Sequence, residues 1–216
     1  MGLEFPDAQR TGKREQDKSK KHMSNTATPN GEIRLTGVRL SYPNLFVPKA
    51  GDQGGEPKYS AALILDKRRD AAQIETIKKI RDAIADEFWK GKRPPGVKFC
   101  LRDGMEKEDV EGYGPEVMFF NASSQRQPVL VHQDPRHPIT KDQAHTLFPG
   151  CYVNVIVRFW CQDNKFGKRI NAELKAVQFC RSGEPLGGGT PVDPTKAFDV
   201  VEEAGAPVSD SDSAWD

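Results

Sequence analysis

At 216 residues the chain is long enough to bury a substantial core within one domain. No apolar run approaches the ~18 residues of a membrane span, no charged-then-apolar signal segment opens the sequence, and Cys100, Cys151, Cys161 and Cys180 form no Cys-x-x-Cys pair. These features argue against a membrane protein, a secreted precursor and a disulfide scaffold, and predict a soluble intracellular protein with buried free thiols.

A formal net charge of +1 conceals an uneven distribution. Residues 190–216 carry Asp193, Asp199, Glu202, Glu203, Asp210, Asp212 and Asp216 against Lys196 alone, a net of −6. Residues 1–22 hold six bases and four acids, which leaves +5 for the body, 23–189. A basic body with an acidic tail is a pattern that matters for partners.

Residues 1–22 are polar and aperiodic and precede a second methionine, Met23. They read as an expression leader; a natural basic arm is the alternative. The stretch 31–46, GEIRLTGVRLSYPNLF, reads as a strand broken at Gly37. KYSAALILD, 58–66, is apolar on both faces and so predicts a central strand. A helix follows, with Asp70 as its cap and Ile74, Ile77, Ile80, Ile84 and Phe88 as its core-facing stripe. Gly91 and Pro94-Pro95-Gly96 end it.

VKFCL, 97–101, predicts another strand. An acidic loop, 103–116, leads into the strands VMFFNAS, 117–123, and PVLVH, 128–132, and then a proline-rich excursion, 133–149. Alternation places only one of Phe119 and Phe120 in the core. The runs 151–160 and 169–180 form a long antiparallel pair around a loop, 161–168. Beyond about residue 189 the composition predicts disorder. The expected fold is mainly β: an OB-like five-stranded antiparallel barrel with one amphipathic helix and a long β-hairpin.

Along 151–160, Val153, Val155, Val157 and Phe159 share a core face, and Tyr152, Asn154, Ile156, Arg158 and Trp160 share the other. Trp160 thus stands beside Arg158, and the hairpin tip adds Lys165, Phe166, Lys168 and Arg169. Rings among cations suit single-stranded nucleic acid, with phosphates on the cations and bases on the rings. The alternative is that Phe166 folds back on the barrel and the lysines only solubilise the turn. The segment 39–49 repeats the mixture with Arg39, Tyr42, Phe46 and Lys49; its two rings are equally suited to anchoring the loop in the core.

Other chemistries have weaker support. Asp103, Glu106, Glu108, Asp109 and Glu111 suggest a divalent-metal nuclease, but a solvated acidic loop explains them more simply. His132, His137, His145 and Cys151 are zinc-compatible types whose spacing matches no zinc pattern. No phosphate-cradling glycine loop, Gly-x-Ser-x-Gly or His-Glu-x-x-His is present. No catalytic residue, metal or cofactor is therefore assigned.

Taken in order, RLSYPNLFVPKA, EPKYSAALIL, VMFFNASS, PGCYVNVIVRFW and AVQFCRSGEPLGG resemble blocks of a family of bacteriophage single-stranded DNA-binding proteins, with a close match to an enterobacterial phage member. The resemblance spans roughly 31–189. It implies an OB-like barrel that coats exposed single strands during phage DNA replication and recombination in the host bacterial cytoplasm. The early position of the helix departs from the standard OB-fold, which places it between strands three and four. The resemblance to replicative single-strand binders also implies an acidic tail that finishes on an aromatic, a pattern this chain approaches without matching. Here the chain closes on SDSDSAWD, with Trp215 penultimate and Asp216 last. Asp210, Asp212, Trp215 and Asp216 are accordingly expected to compete with DNA and to dock phage or host replication and recombination proteins. A protein-interaction module that presents this tail without binding DNA is the alternative from another class.

Overall fold

The computed structural model describes residues 31–51 and 54–187; the expected leader, 1–22, and acidic tail, 190–216, lie outside the described residues. The strands are β1 (Glu32–Lys49), β2 (Lys58–Asp66), β3 (Lys98–Phe99), β4 (Arg102–Asp103), β5 (Val117–Ser124), β6 (Val129–Val131), β7 (Tyr152–Asn164) and β8 (Gly167–Arg181), with helix α1 at Ala71–Phe88.

Strand β1 pairs antiparallel with both β2 and β7, β2 with β5, and β7 with β8. The circle closes by a short parallel pairing of β5 with β8, at Ala122↔Ala172 and Ser123↔Glu173. This makes a five-stranded OB-like barrel in the order β1-β2-β5-β8-β7, as the sequence pattern predicts. Helix α1 follows the second barrel strand, the early position read from the sequence.

Alternation fills the barrel. Ile33, Leu35, Val38 and Leu40 of β1 face inward with Leu63 and Leu65 of β2, Phe120 of β5, Val153, Val155, Val157 and Phe159 of β7, and Leu174 of β8, all fully buried or nearly so. Between Leu35 and Val38 the register with β7 shifts, and Gly37 there has φ +63°. The predicted glycine break is thus a bulge that lets both flanking residues point inward.

The helix is also as read, with differences at its ends. Ile74, Ile77 and Ile80 are buried, but Phe88 is 50% exposed. Trp89 takes its place against the core and donates Nε1–H to Asp163 Oδ2 at 3.0 Å. Asp70 occupies the cap position without making a side-chain cap bond. Its carboxylate instead accepts from Arg69 Nη2 at 2.7 Å, the Asp66 N–H at 2.9 Å and Gln73 Nε2 at 3.2 Å, which turns it back toward the end of β2 and away from the first helical turn. Gln73 then bonds both backbone groups of Thr36, fastening the helix to the β1 bulge.

Four other expectations change. Phe119 and Phe120 are both buried: Phe120 points into the barrel, and Phe119 points out beneath Tyr113, Ile64 and Leu186. The strand expected over 97–101 contracts to Lys98–Phe99. The loop expected over 161–168 is a two-residue turn, Lys165-Phe166, because pairing continues to Asn164↔Gly167. Only Cys151 is fully buried; the other three thiols are half-buried. Burial pushes Cys100 and Cys151 up to about 12, so neither ionises near neutrality.

These positions set a contrast in stability. Ile77→Ala should destabilise by about 2–5 kcal/mol, as expected for truncating a buried side chain. Phe88→Ala should cost less than about 1.5 kcal/mol, the scale of its edge-on contact with Trp89. Urea unfolding of the two variants measures both, and equal losses would contradict this account of the helix.

Candidate nucleic-acid interface

With Phe159 inside the barrel, Arg158 and Trp160 must face outward. Cross-strand register sets Arg158 opposite Glu173, Trp160 opposite Asn171 and Gln162 opposite Arg169. On the other side of β8 the parallel closure brings up β5. Where the strands meet lies an open groove of about 360 Å³ lined by Lys98, Phe99, Arg102, Asn121, Arg169 and Asn171, among others. A second hollow, of about 430 Å³, continues along the same strands past Arg126, Arg158, Glu173 and Lys175. Trp160, 40% exposed, stands beside this run through its register with Asn171.

The charges here are held in place by few acids. Glu173 accepts from Arg158 Nη2 at 2.7 Å and from Lys175 Nζ at 2.9 Å. Burial works to raise its pKa, but the Lys175 hydrogen bond and the Arg158 and Lys175 charges outweigh that and hold the carboxyl below its ordinary value. Arg158 Nε is buried without a hydrogen-bond partner among the described residues. Lys98 and Arg169 have no carboxylate partner among the described residues.

A second set of rings and cations adjoins the groove through Arg102. The Arg102 guanidinium lies 4.5 Å from the Phe119 ring centroid. Lys107 Nζ sits 5.0 Å from the Tyr42 centroid, 5.2 Å from Tyr113 and 5.3 Å from Phe119. Burial, with the Arg102 charge adding to it, lowers the Lys107 pKa. Tyr42 is 52% exposed and has φ +45°, an uncommon value for a residue with a side chain.

The ten candidate residues of the body therefore divide. Arg158, Trp160 and Arg169 lie on the grooved face, and Tyr42 lies beside Lys107. Phe166 projects from the hairpin turn, 69% exposed, with Lys165 Nζ 5.1 Å from its ring and Lys168 3.9 Å from Asp163. Arg39 is committed elsewhere: it donates to the Glu184 carbonyl at 2.7 Å and the Gly150 carbonyl at 3.4 Å. Phe46 packs against the core, and Lys49 is exposed at the far end of β1. Asp210, Asp212, Trp215 and Asp216 lie outside the described residues.

Lys98, Arg102, Lys107, Asn121, Asn171 and Lys175 did not emerge from the sequence, and Arg126 did so only weakly, as a cation following Phe119-Phe120. The cation–aromatic mixture that singled out 39–49 is also present in KFCLR, 98–102, and would have found the first two. Lys107 is hidden there by the carboxylates around it.

Three of the five carboxylates over 103–111 are engaged locally. Asp103 pairs with Lys67 at 2.7 Å, Glu106 with Arg102 at 3.4 Å, and Glu111 accepts from the Gly187 N–H at 3.2 Å. Among the described residues no three His, Cys, Asp or Glu side chains gather as metal ligands, and the 132–151 histidines do not converge on Cys151.

The comparisons with known proteins agree with this fold. A family model described as Enterobacter phage Enc34, ssDNA-binding protein, matches residues 31–207. Protein p50 of Acyrthosiphon pisum secondary endosymbiont phage 1 is 34% identical over 167 residues, covering 73% of this chain and 88% of its own. The single-stranded DNA-binding protein from bacteriophage Enc34, solved in complex with ssDNA, superposes with a TM-score of 0.65 at 31% identity, over 73% of this chain and 90% of that one. A C-terminal truncation of the same phage protein gives 0.62 at 30% identity, over 72% and 88%. With the barrel, the grooved face and a family match over most of its length, the chain belongs to the Enc34-type family of bacteriophage single-stranded DNA-binding proteins.

Proposed function

We propose that the chain binds single-stranded DNA without sequence preference, without catalysis, in the host cytoplasm during phage DNA replication and recombination. The observation that carries this reading is the face of β5, β8 and β7, where Trp160 stands among Lys98, Arg102, Arg126, Arg158, Arg169 and Lys175. The cations track phosphates, and the ring offers a stacking platform that any base can use. Asn121 and Asn171 carry donors and acceptors that adapt to different base edges. Tyr42, with Lys107 Nζ 5.0 Å from its ring, extends the track beyond Arg102. A relative that shares the fold was solved with ssDNA bound, which supports the same ligand here.

The acidic tail acts on the same face. Its carboxylates resemble phosphates and Trp215 resembles a base, so it competes weakly with DNA. Once DNA displaces it, Asp210, Asp212, Trp215 and Asp216 are free to dock phage or host replication and recombination proteins. The root of the tail favours this. Leu186 packs on Ile64 and Phe119, and Phe119 lies directly against Arg102 of the groove.

Labelled oligo-dT should bind at low salt, with an affinity that falls as a slope of about −4 in log K against log salt if six cations contact phosphates. No binding, or Mg²⁺-dependent degradation of the oligonucleotide, would overturn the reading. Trp160→Ala should weaken binding by about 1–3 kcal/mol in the same titration; full affinity in a folded variant would remove Trp160 from the site. Deleting 190–216 should tighten binding, and unchanged or weaker affinity would refute the competing role of the tail.

A further inference from the structure

Phe166 is the most exposed large apolar side chain among the described residues, and it sits on a rigid support. The turn residue's own N–H donates to Asn164 Oδ1 at 3.0 Å. Gln162 bonds Asn164 and Asn171 across the arm, at 3.0 and 3.1 Å. Below them the Asp163 carboxylate accepts from the Trp89 indole at 3.0 Å, tying the arm to the turn that follows α1. That turn presents Lys90 and Lys92, both exposed. Lys90, Lys92, Lys98, Lys165 and Arg169 all lack a carboxylate partner among the described residues. Nearby acids are mostly taken: Asp163 by Trp89 and Lys168, and Asp82 by Arg81 and Arg93. Asp86 and Glu87, exposed at the end of α1, pair with no cation among the described residues.

Such a ring is poorly placed to continue the groove. Along the strand it lies roughly 15 Å beyond Trp160, at the rise of an extended chain. It has no facing wall against which a single base would be sandwiched. The cations belong to two separate elements, the hairpin and the turn after α1, which the Trp89–Asp163 bond joins. A flat apolar surface flanked by two groups of cations matches the end of a base-paired helix, whose last pair offers a broad face and whose two strands offer two rows of phosphates.

We propose that the hairpin tip and the Lys90–Lys92 turn form a seat for the duplex side of a single-strand–duplex junction. Phe166 stacks on the terminal base pair, Lys90, Lys92 and Lys165 meet the flanking phosphates, and the unpaired strand runs on into the groove past Arg169 and Trp160. This rests on the reading of the groove as a single-strand track, and it adds a substrate: the protein recognises where single-stranded DNA begins.

The test compares two labelled DNAs by anisotropy, an oligo-dT of about 16 nucleotides, the upper site size of one OB fold, and the same oligo-dT as an overhang on a short duplex. The full chain should bind the junction several-fold more tightly. The double variant Lys90→Gln, Lys92→Gln should lose that gain while keeping its affinity for free oligo-dT. A 2-aminopurine in the terminal base pair should change fluorescence with the full chain and not with Phe166→Ala. Equal affinity for both DNAs, a gain that survives the double variant, or a 2-aminopurine response that persists without Phe166 would each overturn the junction seat. Failure to bind free oligo-dT at all would instead overturn the groove reading on which it rests.

Discussion

Barrel closure between β5 and β8 is the contact on which the rest depends. It is short, only two register pairs, and it sets Ala122 beside Ala172, both buried. Small side chains let two parallel strands meet where a larger pair would hold them apart. Closure removes sheet edges that would otherwise seek partners. It also brings two distant parts of the chain face to face. Asn121 with Arg102 comes from one side and Arg169 with Asn171 from the other, so the groove exists only because the barrel is shut.

Much of this was legible in the sequence because periodicity is strong where elements are long. The valines of β7 announced its core face, and with it the outward pair Arg158 and Trp160. The isoleucines of α1 announced the helix and most of its buried stripe. Legibility failed where the tertiary context decides. Strands β3 and β4 are two residues each, too short for any period, so Lys98 and Arg102 were marked by local composition alone and not by alternation. Phe119 violates alternation because a loop and the segment near Leu186 cover the outside of the barrel there. Phe88 fits the helical stripe, yet Trp89 wins the inward position through its bond to Asp163.

The electrostatic organisation follows the same division. Cations with a structural task are paired, as in Arg69 with Asp70 and Arg136 with Asp134. Arg39 is spent on backbone carbonyls, which explains why a sequence-adjacent arginine does not join Tyr42 in facing solvent. Around the groove and the hairpin the ratio reverses, and one acid, Glu173, serves two bases. The Glu173 carboxylate bridges Arg158 and Lys175 and offsets the repulsion between these two like charges.

Glycine at 150 has a wider reach than its size suggests. It has φ +108°, and a methyl group there would collide with the Glu184 carbonyl. That carbonyl, the Arg39 guanidinium and the bond from the Leu186 N–H to the Pro149 carbonyl pin residues 184–186 to the barrel. The described chain thus ends at a fixed point, with Leu186 one ring away from Arg102. For a tethered ligand, local abundance is set by chain length and reaches the mM scale for short flexible links. If the tail competes for the groove as proposed, dilution of the protein leaves that self-occupancy untouched while it depletes every free competitor, so the balance between the two is governed by how much exposed DNA is present.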